Sequence, residues 1–245
     1  MSIPKSHPRY TSLKVRDKIV DGVLKGITSL HGLTAHGRGE AFDYLLGEQT
    51  NEFAKSAIQA AAIELLFAKH PVISANGNVT ALVVKELIQL ANVLNAPLEI
   101  NLFHASKKRE RAIKDYLFKH GAKNVLMPSK NYTISHLDSN RKYVNKDGIY
   151  KADVVFVPLE DGDRTEALIK NGKKVITVDL NPLSRTAQRA TIAIVDNIVR
   201  VMPALIAAVK FHKDNKKLKQ SVKEYNNKKV LHEAISSITN RFKRA

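Results

Sequence analysis

The sequence predicts an α/β protein with a mostly parallel sheet and helices on both faces. Three observations carry this. Short apolar runs that suit buried strands alternate with longer stretches of helical period. The clearest runs end in polar turn residues, at Asn76-Gly77-Asn78, Glu160-Asp161-Gly162 and Asp179-Leu180-Asn181. The alternation continues to about residue 211, as parallel βαβ units require.

The elements follow in order. Residues 13–27 read as a helix, with Leu13, Ile19, Val20, Val23, Leu24 and Ile27 at a rough 3.6-residue period. Residues 32–39 read as a glycine- and histidine-rich loop. Residues 52–69 form an alanine-rich helix, 71–75 a buried strand, 79–94 a helix and 98–103 a strand. A charged helix at 107–120 ends before Gly121. Residues 124–127 read as a weak strand and 128–148 as polar loop. A buried strand at 153–158 precedes a helix at 163–171, whose Asp163 and Glu166 have capping-box spacing. Strands at 174–179 and 191–195 flank a short helix starting at Ser184, and 197–211 closes the alternation as a helix. In such sheets ligands sit outside the carboxyl ends of the strands.

The chain has 245 residues and 44% apolar content, enough for a sizeable core. The absence of cysteine excludes disulfides, thiolate nucleophiles and Cys-ligated zinc. It fits a reducing cytoplasm. Residues 1–10 are polar and carry two prolines, so no signal peptide is expected. No apolar run reaches the ~18–20 residues of a membrane span.

Forty basic and 23 acidic residues give a formal charge of +17, a field that attracts anions. Residues 210–245 hold eleven Lys/Arg and three acids, or +8, which leaves 17 − 8 = +9 for the rest. Beyond residue 213 the chain is rich in lysine and asparagine. It then carries Leu231, Ile235, Ile238 and Phe242, a stripe that suits an amphipathic helix docking on the core or on a partner.

Several segments can carry chemistry. In His36-Gly37-Arg38-Gly39-Glu40 the glycines permit close backbone approach, and Arg38 can clamp a phosphate or carboxylate. As a dinucleotide fingerprint the segment is weak, because Phe42 stands at the third glycine position. Asn76-Gly77-Asn78, between strand and helix, serves equally as an anion site or as an ordinary turn. Glu160, Asp161 and Asp163 at a strand end could hold Mg²⁺, while Asp163 also suits a helix cap. Asp179 sits where a ribose contact is common, and Arg185 and Thr186 open a helix suited to phosphate. Ser184 suits its N-cap. Asp196-Asn197 repeats the pattern. There is no P-loop, G-x-S-x-G elbow or H-E-x-x-H motif, and the nine histidines show no metal-ligand spacing.

Taken in order, residues 3–10, 35–45, 76–78, 99–103, 157–168, 178–185 and 194–200 resemble the archaeal-type phosphopantothenate synthetases, or 4-phosphopantoate–β-alanine ligases. The resemblance spans about residues 2–210. It leaves 211–245 as a basic helical extension with no evident counterpart, beside a ligase domain at 1–210. It implies a Rossmann-like homodimer in coenzyme A biosynthesis, with ATP, 4-phosphopantoate and β-alanine as substrates and AMP and diphosphate as products. It further implies ATP contacts from Arg16, Arg38, Asp179, Leu180, Asn181, Arg185, Thr186, Asn197 and Ile198.

Joining a carboxylate to an amine requires activation of the carboxylate, and release of AMP points to an acyl-adenylate. Arg38, Arg164 and Asp161 are the candidate catalytic residues. Asn76, Asn78, Glu99 and His36 are candidates for binding the other substrates. Mg²⁺ is expected with ATP on chemical grounds, with Asp161, Asp163 or Glu40 as candidate ligands. Two other classes remain in view, a nucleic-acid-binding protein that uses the basic tail and a nucleotide-binding oxidoreductase. Scattered basic residues with only 6% aromatics argue against the first. The missing third glycine argues against the second.

Overall fold

A computed structural model of the chain describes residues 3–213 and 225–243. Six strands form one parallel sheet in the order β3-β2-β1-β6-β7-β8. They are β1 (Pro71–Ala75), β2 (Leu98–Ile100), β3 (Val125–Leu126), β6 (Val154–Phe156), β7 (Lys174–Val178) and β8 (Ile192–Ile194). The chain starts at the centre of the sheet with β1, winds outward to β3, returns to place β6 beside β1, and winds outward again to β8. The order therefore reverses between β1 and β6, and at such a point an open parallel sheet has a crevice at its carboxyl edge.

Strand residues alternate between two cores. Ile73, Phe156 and Ile176 join the larger one with helices α3 (Glu52–Phe67), α4 (Gly77–Leu94) and α8 (Ile198–Lys213). Val72, Val155 and Val175 join the smaller one with α6 (Gly162–Lys170). That two-sided burial explains why the strands read as continuous apolar runs. Helix α5 (Lys107–Lys119) connects β2 to β3, and α7 (Arg185–Arg189) connects β7 to β8.

Helix α1 spans Tyr10–Leu24, three residues earlier than its apolar period suggests. The amides of Ile27 and Thr28 fold back onto the Gly22 carbonyl and end it.

The expected glycine- and histidine-rich loop at 32–39 is instead the middle of helix α2 (Leu30–Leu46). Each interior glycine costs a helix about 1 kcal/mol relative to alanine, so local propensity is a poor guide here. Packing overrides it. Leu33, Phe42 and buried Leu46 face the core. Gly32 lies so close to Asn78 and Thr28 that a Cβ there would overlap both side chains. Phe42, at the missing glycine position, is a packing residue.

The polar segment 128–148 is not merely loop. It contains an antiparallel hairpin, β4 (Ser129–Thr133) with β5 (Tyr143–Val144), and a π-type turn at Lys146–Tyr150. Ile134, Val144 and Ile149 tuck under the sheet.

Asp163 is not the cap of α6. Asp161 occupies the N-cap position and Asp163 lies inside the first turn, its carboxylate accepting from the Arg164 amide at 2.8 Å. Ser184 does cap α7, accepting from the Ala187 amide at 2.9 Å.

The C-terminal stripe forms helix α9 (Asn227–Phe242), which packs on α2, α3, α7 and β8. Val230, Leu231 and Ala234 are buried, and Ile238 packs against the core. The Asn227 side chain accepts from the Ala193 amide of β8 at 2.8 Å and donates to the Ala187 carbonyl at 2.9 Å. Much of the lysine- and asparagine-rich stretch before α9 lies outside the described residues. Among those described, no helix is long and apolar enough to cross a membrane.

Candidate active site

Strands β1, β6, β7 and β8 all end on one side, and the residues that follow them close a cleft against α2. The cleft holds about 310 Å³, at the small end of the range for ligand sites. His36, Arg38 and Glu40 project from α2, Asn78 from the start of α4 and Asp161 from the end of β6. Asp179, Leu180, Asn181, Arg185 and Thr186 follow β7, and Asn197 and Ile198 follow β8. Helices α4, α6, α7 and α8 begin here, so their positive amino ends converge on the cavity, an arrangement that favours anions.

The local geometry of each segment holds it in place. Asp179 accepts from the Asn181 amide at 2.9 Å and from the Ser184 hydroxyl, which folds residues 179–184 into a tight turn. Burial pushes the Asp179 carboxyl above its ordinary value, against the hydrogen bonds from Ser184 and Asn181 and the charge of Arg38. Thr186 donates to the Glu160 carbonyl at 2.8 Å and ties the β6 and β7 ends together. Asn76 caps α4 and its amide spans the Pro158 and Leu159 carbonyls, so both ends of its side chain are engaged. Asn78 receives the Thr28 hydroxyl and donates to the Gly32 carbonyl at 2.9 Å.

The four arginines singled out above differ in their partners. Arg16 stands beside the cleft in an adjoining groove that shares His36 and Glu40 with it. Its Nε donates to Glu40 at 2.7 Å. Arg185 is exposed and pairs with Glu166. Arg164 is fully buried under the sheet, where Nη1 binds Glu160 and donates to Ser74 at 3.1 Å, and it does not line the cleft. Arg38 lines the cleft with no hydrogen bond or ion pair among the described residues. It is the cation left free for a ligand.

The carboxylates differ as well. Glu40 is buried. Desolvation opposes its charge, but hydrogen bonds from Arg16 and Tyr44 win and hold it below the usual carboxylate range. His36 is pushed below its ordinary value by burial and has no partner for Nε2. Glu99 does not reach the cleft. Fully buried, it accepts from the amides of Asn145 (2.9 Å) and Ile149 (2.6 Å). Burial pushes its carboxyl up to about 7, against those two amides. Gly148 makes the contact possible, since a Cβ there would overlap the carboxylate. The candidate metal ligands Asp161, Asp163 and Glu40 are not drawn together. Asp161 pairs with Arg141, Glu40 with Arg16, and no group of three His, Cys, Asp or Glu able to hold a metal occurs among the described residues.

Two features carry no local sequence signal. Arg141, in the segment read as polar loop, is only 3% exposed. It binds Glu160 through Nη1 and Nη2, Asp161 at 2.8 Å and Asn101 at 3.1 Å. Arg200 bridges Asp43 and Asp196 while Asn197 donates to Asp43 at 2.7 Å, locking α2 to the start of α8. Apart from the i,i+4 pair Arg200–Asp196, these partners lie 19 to 157 residues apart and cannot be read from spacing.

A profile for the family described as Phosphopantothenate/pantothenate synthetase matches residues 53–241. The chain is 53% identical to a 4-phosphopantoate–β-alanine ligase of Thermococcus kodakarensis, over 100% of this chain and 95% of that protein. It is 49% identical to the enzyme of the same name from Methanosarcina mazei, over 98% and 96% of the two chains. With the relative from Methanospirillum hungatei the identity is 53% over 82% of each. The matches correct one expectation: the segment beyond residue 210, α9 included, falls within the family's pattern rather than outside it.

Proposed function

The chain belongs to the phosphopantothenate/pantothenate synthetase family, and from that membership we propose that it joins 4-phosphopantoate to β-alanine with ATP, forming 4′-phosphopantothenate for coenzyme A synthesis in the cytoplasm. The observation that carries the reading is the cleft itself. It gathers four helix amino ends and Arg38, unpaired among the described residues, at the switch point of the sheet, which suits substrates that each carry a carboxylate or phosphate.

The reaction runs through an acyl-adenylate. The phosphopantoate carboxylate attacks the α-phosphorus of ATP, the bond to the β-phosphate breaks, and diphosphate leaves. The β-alanine amine then attacks the activated carbonyl, and AMP leaves with its bonding electrons. Arg38 offers a forked donor to the charge that develops at phosphorus. The turn at 179–181 and the residues Thr186, Asn197 and Ile198 frame the nucleoside and phosphates, with Arg16 and Arg185 at the rim. Mg²⁺ enters with the nucleotide. Because the nearby carboxylates are mostly engaged with arginines, phosphate oxygens and water would supply most of the ligands of such an ion. The working unit is a homodimer.

Incubation with ATP, 4-phosphopantoate and β-alanine should yield AMP in step with product. Formation of ADP would refute the adenylate, and no nucleotide turnover would refute the ligase.

A further inference from the structure

The cleft is built for anions, yet one of the three substrates brings a cation. β-Alanine carries an ammonium, and this group must reach the activated carbonyl. On the reading of the site given above, we infer that Asp161 receives and orients this ammonium, and that buried Arg141 is a positioning residue that holds Asp161 for the purpose.

The argument compares the four carboxylates that line the cleft, Glu40, Glu160, Asp161 and Asp179. Glu40 is buried and accepts from Arg16 (2.7 Å) and Tyr44 (2.7 Å). The Glu160 carboxylate is fully buried between Arg141 and Arg164. Asp179 is tied to its own turn through the Asn181 amide and the Ser184 hydroxyl. Among the described residues, Asp161 alone of these four keeps an oxygen without a hydrogen bond. Its Oδ2 takes Arg141 Nη1 at 2.8 Å, its Oδ1 makes no hydrogen bond, and its side chain is 54% exposed. It is therefore the one of the four described cleft carboxylates able to accept a charge-assisted hydrogen bond from a cation without breaking an existing pair.

Arg141 is built for support rather than contact. It is 3% exposed and does not line the cleft. Its guanidinium bonds Glu160, Asp161 and Asn101 together. Asn101 in turn donates to the Arg141 carbonyl at 3.1 Å and the Tyr143 carbonyl at 3.2 Å, so β2 fixes the segment that delivers the arginine. Asp161, which lines the cavity, is thus held by Arg141 through one oxygen. In the step itself, the oriented ammonium sheds one proton to water, the freed lone pair forms the C–N bond as the bond from the carbonyl carbon to the phosphate oxygen breaks, and the nitrogen's second proton leaves to water or to the departing AMP.

The test separates the two half-reactions. Exchange of labelled diphosphate into ATP, with phosphopantoate but no β-alanine, reads adenylate formation alone. Amide synthesis reads both steps. Hydroxylamine, uncharged at neutral pH, captures the adenylate without needing an ammonium site. Asp161→Asn should keep exchange and hydroxamate formation within about threefold of wild type, while its kcat/KM for β-alanine falls at least about fiftyfold, a loss near 2 kcal/mol. Arg141→Lys should lose efficiency toward β-alanine in the same selective way, to a smaller degree, with KM for ATP unchanged. Equal losses in exchange and amide synthesis would place Asp161 with the nucleotide and overturn the inference. So would an unaltered kcat/KM for β-alanine. If wild-type protein shows neither exchange nor AMP formation, the ligase reading itself fails, and that outcome is distinct from both.

Discussion

Arg16 and Glu40 join helices α1 and α2 through a 2.7 Å hydrogen bond from Nε to Oε2, with the Tyr44 hydroxyl completing the carboxylate's shell. Glu40 is buried and Arg16 is 45% exposed, so the acid fixes the arginine's direction at the mouth of the cleft. Glu40→Gln keeps the volume but loses the charge. Titration with ATP should show affinity weakened about three- to tenfold, as expected when a partly exposed charged hydrogen bond is lost. The carboxyl lies below its ordinary value in the folded state. Its stabilisation is therefore present above the ordinary carboxylate pKa and lost as pH falls through the folded value. Acid unfolding curves of wild type and Glu40→Gln should converge at low pH and separate toward neutrality.

Arg38 is the cleft arginine with no hydrogen bond or ion pair among the described residues. Removing it breaks no hydrogen bond or ion pair among the described residues and withdraws only its charge from Asp179, so Arg38→Ala should fold normally. Turnover should fall at least about a hundredfold, in line with ~3–4 kcal/mol for one oriented donor to developing charge. Single-turnover AMP formation measures this, and near-wild-type turnover would remove Arg38 from the mechanism.

Glu99 has the opposite sign from Glu40. Its folded carboxyl titrates near 7, above the ordinary value of about 4.3. Between these values the unfolded chain has released the proton and the folded chain still holds it. Stability therefore falls as pH rises through that window and levels off above it. Glu99→Gln has no such proton. Urea unfolding at pH 5, 6, 7 and 8 should show wild type losing on the order of 3 kcal/mol relative to the variant. Parallel profiles would show that Glu99 ionises at its ordinary value.

Leu231 on α9 is buried against the core. Leu231→Ala should lower unfolding free energy by about 2–5 kcal/mol, as for other core leucines, while KM for ATP stays the same. A change within 0.5 kcal/mol would mean that α9 is peripheral to stability in solution.

The parallel sheet was legible because its strands are buried on both faces. The runs 71–75, 153–158 and 174–179 contain few polar residues, and their turns contain many. The cleft residues were legible as strand-end segments, and Ser184 as a cap. What escaped was set by distance. Helix α2 was obscured by its three glycines, of which Gly32 leaves room for Asn78, a contact 46 residues away. Arg141 reads as one more polar residue in a polar stretch until β2 and the end of β6 fold around it. Arg164 looked like a catalytic arginine because it follows a strand end among anion-binding candidates, but its helix buries it against Glu160 and Ser74.

Asn227 gives its amide oxygen to an outward N–H of β8, the last strand on its side. An open sheet has two margins where a neighbouring molecule can add a strand. At this one the chain's own C-terminal helix already fills the slot, and at the other the strand is only two residues long. Addition of a foreign strand to either margin of this sheet is thereby disfavoured, so the sheet ends within its own chain.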